Sequence, residues 1–157
     1  PEAIVTLSEL MRYMLYETDN KTVLLEKEIN YIQNYIELQK LRLNNIENII
    51  VNIHGEPKNK YIEPLLLISF IENAFKHGIS LKEKSWIKIN ISCDTENLYF
   101  DVYNSVHLKK EDDPEKDRSG IGLENVKQRL SLLYPGQHEL HIRSTNTEYF
   151  VHLTIQL

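Results

Sequence analysis

Four side chains of different chemistry lie close together in one stretch of the chain: Glu72, Asn73, Lys76 and His77. On a helix, at about 100° per residue, they share an arc of about 140°. Leu67, Ile68, Phe70, Ile71, Ala74 and Phe75 fill the remainder of the circumference, and only Leu65 and Leu66 depart from the division. Glu and Lys alone would read as a solvated helix face, and an isolated His as a structural one. The combination is more specific. An Asn carbonyl is a hard oxygen ligand suited to Mg²⁺. A neighbouring Glu can hold a metal-bound water or act as a base. A Lys one turn on neutralises phosphate oxygens, and a hydrogen-bonding His completes a face for nucleotide phosphates. Downstream, Gly120 and Gly122 precede Leu123 and a helical pattern. Two glycines before a helix let backbone approach a phosphate, and the amides of the helix N-terminus face an anion. By itself a Gly-x-Gly is weak evidence; its place after the polar helix face makes it informative.

The surrounding pattern says what positions these groups. Ile4, Leu7, Leu10, Met11 and Met14 predict a helix over about residues 2–17, and Leu25, Ile29, Ile32, Ile36 and Leu43 a second over 25–43, with Thr22 as its N-cap. Ile49, Val51 and Ile53 alternate as a strand that ends at Gly55-Glu56-Pro57. Pro64 opens the polar-faced helix, which ends near Gly78. Alternation returns in Ile87–Cys93, Leu98–Val102, Leu140–Ile142 and Tyr149–Leu157. Before the last helix, which runs from about Gly122 to Tyr134, lies the segment 109–119. Ten of its eleven residues are charged or proline, so it cannot bury a core. It predicts a solvated loop or a lid over residues 107–119. The fold class is α+β: a two-layer sandwich of a mixed, mainly antiparallel sheet with helices on one face, preceded by N-terminal helices.

Composition narrows the function classes. The chain of 157 residues is 41% apolar, enough for one compact core. Its net charge of -5 provides no footprint for direct nucleic-acid binding. A single cysteine, Cys93, excludes an internal disulfide. No apolar run is long enough to cross a bilayer. Because the first residue is Pro1 and not Met, an upstream segment is expected.

Glu72-Asn73-Ala74-Phe75-Lys76-His77-Gly78 resembles the N-box of the GHKL (Bergerat-fold) ATPases in its histidine-kinase form, and Gly120-Ile121-Gly122-Leu123-Glu124-Asn125-Val126 resembles their G2 box. Leu7–Tyr16, Leu25–Glu28, Tyr35–Arg42 and Arg129-Leu130 with Leu133-Tyr134 are similar to the LytS-type sensor kinases. The resemblance spans essentially the whole chain. It implies residues 1–18 as the end of a dimerisation region, 19–45 as a linker helix and 46–157 as an ATP-binding catalytic domain. The implied cofactors are ATP and Mg²⁺, with Glu72, Lys76 and His77 catalytic and Asn73 and Glu72 at the metal. Asn73, Lys76, His77, Asn104, Arg118, Gly120, Gly122 and Leu123 are the implied nucleotide contacts.

The implied partners are a response regulator with a LytTR-type DNA-binding output and a second copy of the chain, joined through the upstream helices. The membrane would be met only through the missing N-terminal region, which leaves this part cytoplasmic. The phosphoacceptor motif of that family is absent: none of His54, His77, His107, His138, His141 and His152 has its context. The sequence also departs from the family where an adenine-binding Asp is usual. By register Asn104 stands there, with Asp101 falling too early in the strand. An Asn accepts a hydrogen bond without charge, which predicts weaker binding. Two alternatives remain at this level: a degenerate nucleotide-binding module acting through protein contacts, and an anti-sigma-factor serine kinase.

Overall fold

The computed structural model describes residues 1–17, 19, 21–43, 48–80, 83–107 and 119–157. In chain order the elements are α1 (Glu2–Arg12), a single π-helical turn (Tyr13–Glu17), β1 (Val23–Leu24), α2 (Leu25–Arg42), β2 (Ile49–Gly55) and β3 (Tyr61–Ile62). There follow α3 (Ile68–Gly78), β4 (Ile87–Cys93), β5 (Asn97–Ser105), α4 (Ser119–Leu133), β6 (His138–Ser144) and β7 (Glu148–Gln156). They form two compact units: a helical unit of residues 1–47, 56–65 and 157, and a sheet unit of residues 48–55 and 66–156.

In the helical unit Leu10 and Tyr13 are buried, as are Leu25, Ile29, Ile32 and Ile36 on α2. Tyr13 stacks on Tyr31 at a ring separation of 4.8 Å. Thr22 does not cap α2. The N-cap is Leu24, without a side-chain cap, and the Leu25 N–H donates to the Lys60 carbonyl at 2.8 Å. The reason is the short antiparallel pairing of β1 with β3, Val23 opposite Ile62 and Leu24 opposite Tyr61. It brings a backbone acceptor to one of the helix's orphan donors. Ile4, Leu7, Met11 and Leu15 remain exposed along the first helix.

The sheet unit has five strands in the order β2-β4-β5-β7-β6. β2 and β4 are parallel, and the other pairs are antiparallel, as the mixed, mainly antiparallel expectation requires. Alternation puts Ile87, Ile89, Ile91, Leu98, Phe100, Val102, Val151, Leu153 and Ile155 on one buried face. The buried positions of α3 and α4, among them Phe70, Ile71, Ala74, Phe75, Val126 and Leu130, complete the core. Phe70 meets Phe100 at 6.0 Å. Burying each such side chain contributes about 1.5–3 kcal/mol. The other sheet face carries Tyr103 stacked on Phe150 at 4.2 Å, and Asp101 bonded to His152. At the end of β2, Gly55 has φ +88 and lies beside Cys93, whose carbonyl oxygen would sit 2.1 Å from any added Cβ. Only glycine fits there.

α3 starts at Ile68, later than the Pro64 start read from the sequence. Leu65 has φ +61 and cannot continue into a right-handed helix. Leu65 and Leu66, which broke the amphipathic division, therefore lie outside the helix.

Candidate functional site

α3 is amphipathic because its polar residues recur every three or four positions. Its apolar side is buried against the sheet, and Ser69, Glu72, Asn73, Lys76 and His77 face outward into a cleft of about 200 Å³. Gly122 and Leu123, in the first turns of α4, close the other side of the same cleft. Six of the expected site residues are thus brought together by two helices of one unit: Glu72, Asn73, Lys76, His77, Gly122 and Leu123. Ser69, one turn before Glu72 and Asn73, joins them.

Gly120 and Gly122 correct one detail. They do not form a turn that precedes a helix; α4 begins at Ser119 and both glycines are within its first turn. The first N–H groups of a helix have no intrahelical acceptor, so backbone donors remain at this position. A Cβ at Gly122 would meet nothing within 4 Å, which leaves its backbone open toward the cleft. Arg118 and residues 108–118 of the expected lid lie outside the described residues.

Glu72 and Lys76 are exposed, and Asn73 and His77 half-buried. Partial desolvation raises the Glu72 pKa above the ordinary 4.5. The residue is exposed as a whole, so solvent screening keeps the energetic consequence small. Among the described residues there is no cluster of three or more His, Cys, Asp and Glu able to hold a metal.

Asn104 is not in the cleft lining. It is 1% exposed on β5 and packs beneath the end of α3, where a Cβ on Gly78 would come within 2.9 Å of its own Cβ. Its Nδ2 donates to the Ser105 carbonyl at 2.9 Å. Its Oδ1 is buried without a hydrogen-bond partner among the described residues. A buried acceptor left open is costly unless something else satisfies it. Asp101, the inferior alternative, is on the opposite sheet face with His152.

Sequence reading missed Ser105. Its hydroxyl donates to the Gly78 carbonyl at 2.7 Å and accepts from the Trp86 N–H at 3.0 Å, so it fastens the end of β5 to the end of α3. Nearby, His107 bridges Ser85 Oγ at 3.0 Å and Glu83 Oε2 at 2.6 Å. That order resembles a nucleophile–base–carboxylate relay. Ser85, however, is 5% exposed and already accepts the Ser80 N–H at 2.8 Å, so the trio is a loop closure. No residue type or spacing signals either arrangement, because both join positions distant in sequence.

A mixed sheet covered on one face by helices, with a polar cleft between an Asn- and Lys-bearing helix and a glycine-bearing helix start, is the architecture shared with histidine kinase catalytic domains. Residues 1–48 match the family model described as histidine kinase. The chain is 26% identical over 152 residues to the sensor protein kinase HptS of Staphylococcus aureus (strain USA300), covering 90% of this chain and 29% of that protein. The catalytic domain of histidine kinase ThkA superposes with a TM-score of 0.53 at 16% identity, covering 86% of this chain and 93% of that one. ThkA in complex with the response regulator TrrA matches at a TM-score of 0.55 and 15% identity, covering 98% and 48%. The histidine kinase domain of the Erythrobacter litoralis EL346 blue-light activated kinase gives 0.58 at 19% identity, covering 99% and 73%. The chain is thus similar to sensor histidine kinases in sequence, and it has the fold of their catalytic domains. It spans under a third of the length of the curated relative it matches. Among the described residues no helix is long and apolar enough to cross a membrane.

Proposed function

We propose that the chain binds ATP with Mg²⁺ and transfers the γ-phosphoryl group to a histidine outside the residues present here. The carrying observation is the single cleft in which Glu72, Asn73, Lys76 and His77 of α3 face Gly122 and Leu123 of α4. In this reading the Asn73 carbonyl and Glu72 carboxylate face the metal, and Lys76 and His77 neutralise and hydrogen-bond phosphate oxygens. The α4 amides, with Gly120 in the same turn, take the remaining charge, and Arg118 is a further phosphate contact that the family resemblance implies. Phosphoryl transfer needs little from the protein beyond such positioning and charge neutralisation. The acceptor imidazole nitrogen forms the new P–N bond as the bond to ADP breaks. Glu72, whose pKa desolvation raises, is the base proposed to take the imidazole proton. Asn104 is the adenine-side acceptor, which its open Oδ1 supports.

Residues 1–18 are the end of a dimerisation region and 19–45 a linker to the catalytic domain. The proposed partners are a second copy through the upstream helices and a response regulator. The solved ThkA–TrrA complex supports the regulator, and the LytS resemblance supports a LytTR-type output. Membrane attachment belongs to residues upstream.

The test is calorimetry of the chain with a non-hydrolysable ATP analogue, with and without Mg²⁺. A saturable site of about -4 to -8 kcal/mol, in the millimolar to micromolar range, is expected. Asn73→Ala should abolish the Mg²⁺-dependent part with the melting temperature unchanged. No heat at millimolar nucleotide overturns the reading, and normal binding by Asn73→Ala removes that residue from the site.

A further inference from the structure

Glu28, on α2, is 0% exposed, and no step of the proposed chemistry uses it. A buried carboxylate persists only where its oxygens are well satisfied. Here one oxygen, Oε1, accepts the Leu65 N–H at 2.5 Å. The other, Oε2, accepts the Tyr13 hydroxyl.

What the two donors have in common is irregular backbone. Tyr13 is the residue at which α1 gives way to the π-helical turn, and it is held by stacking on Tyr31 at 4.8 Å. Leu65 has φ +61, a left-handed conformation that a residue with a Cβ normally avoids. Such strain survives only where the surroundings over-determine it, and it gathers at sites that switch. Leu65 is also the last residue of the helical unit before the chain enters the sheet unit. Three residues later the polar-faced helix α3 begins at Ile68. One side chain therefore joins the end of the first helix, the second helix and the turn that leads into the proposed nucleotide helix.

We propose that Glu28 is a positioning residue: its buried carboxylate latches Tyr13 to the left-handed turn at Leu65, so that a displacement of the first helix is delivered to the backbone entering α3. The inference rests on the nucleotide-binding reading for its consequence, though not for the latch itself. Withdrawal of the Tyr13 hydroxyl removes one of the hydrogen bonds that hold the carboxylate, and with it the brace that keeps Glu28 on the strained Leu65 turn. A signal arriving along α1 would then alter nucleotide affinity without touching any residue of the cleft.

The experiment compares Tyr13→Phe, Glu28→Gln and Glu28→Leu in this chain. Hydrogen exchange is read over residues 61–67 and analogue affinity by calorimetry. Tyr13→Phe should melt cooperatively, exchange faster at Leu65–Leu67 and bind the analogue at least threefold more weakly. Glu28→Gln keeps an acceptor for the Leu65 N–H and should stay close to the parent in both readouts. Glu28→Leu should lose both; if it does not fold, Tyr13→Phe and Glu28→Gln decide. Parental exchange at Leu65–Leu67 in Tyr13→Phe overturns the latch. Faster exchange there with unchanged affinity overturns its role in positioning α3. If the parent binds no analogue, the nucleotide reading fails, and the exchange measurement alone still upholds or overturns the latch.

Discussion

Asn104→Asp separates the structural from the nucleotide role of this position, because the two respond with opposite sign. In the folded chain Asn104 is 1% exposed and its Nδ2 donates to the Ser105 carbonyl at 2.9 Å. The substitution replaces that donor with an oxygen. It breaks one buried hydrogen bond and sets a carboxylate against a carbonyl. Together these cost about 2–4 kcal/mol at neutral pH. For a chain of this size that is a fall in Tm of about 5–15 °C.

Burial raises the folded-state pKa of the new carboxyl above its unfolded value. The protonated form is therefore favoured in the folded state, and it can donate to the Ser105 carbonyl again. Stability relative to the parent is thus retained below the unfolded pKa of about 4 and lost as pH rises through the folded pKa. Nucleotide affinity should move the other way. A charged acceptor hydrogen-bonds about twice as strongly as a neutral one, which adds about 1 kcal/mol or about fivefold in Kd. Thermal melts between pH 4 and pH 8, with calorimetry at neutral pH, test both. A variant as stable as the parent at every pH refutes the buried placement. A destabilised variant with unchanged or weaker affinity refutes Asn104 as the adenine-side acceptor.

Three further outcomes follow from the geometry. Gly78→Ala places a Cβ 2.9 Å from the Asn104 Cβ, and overpacking of that kind should cost about 1–3 kcal/mol in a denaturant titration. Glu72→Gln removes a carboxyl whose pKa is raised by desolvation. Wild-type stability in this respect is full below pH 4.5 and declines as pH rises through the raised value, so the variant should be the more stable above that range. The gain should be under about 1 kcal/mol, because the side chain is largely exposed, and should disappear in melts at about pH 4. Phe70→Ala opens a cavity beside Phe100, 6.0 Å away, and should cost about 3–5 kcal/mol, read from chemical unfolding.

The grouping of the cleft residues on α3 was legible in residue types and spacing, because a helix repeats every 3.6 residues and a strand every two. That local rule put Glu72, Asn73, Lys76 and His77 on one side of α3, and it set the alternation of β4, β5 and β7. Gly122 could be read as an open backbone position for the same reason: a missing Cβ is a property of the residue itself. What only tertiary structure decided rests on groups that meet across long stretches of chain. The Lys60 carbonyl, not Thr22, completes the start of α2, because β1 pairs with β3. α3 starts late because Leu65 turns left-handed with its N–H on Glu28, 37 residues earlier in the chain. Register set the place of Asn104 on its strand, and tertiary structure packed it under Gly78 with its amide on the Ser105 carbonyl. Periodicity reports which side of an element is apolar. It carries no information about which distant polar atom arrives to satisfy a buried one, and that pairing shaped the turn at Leu65 and the surroundings of Asn104.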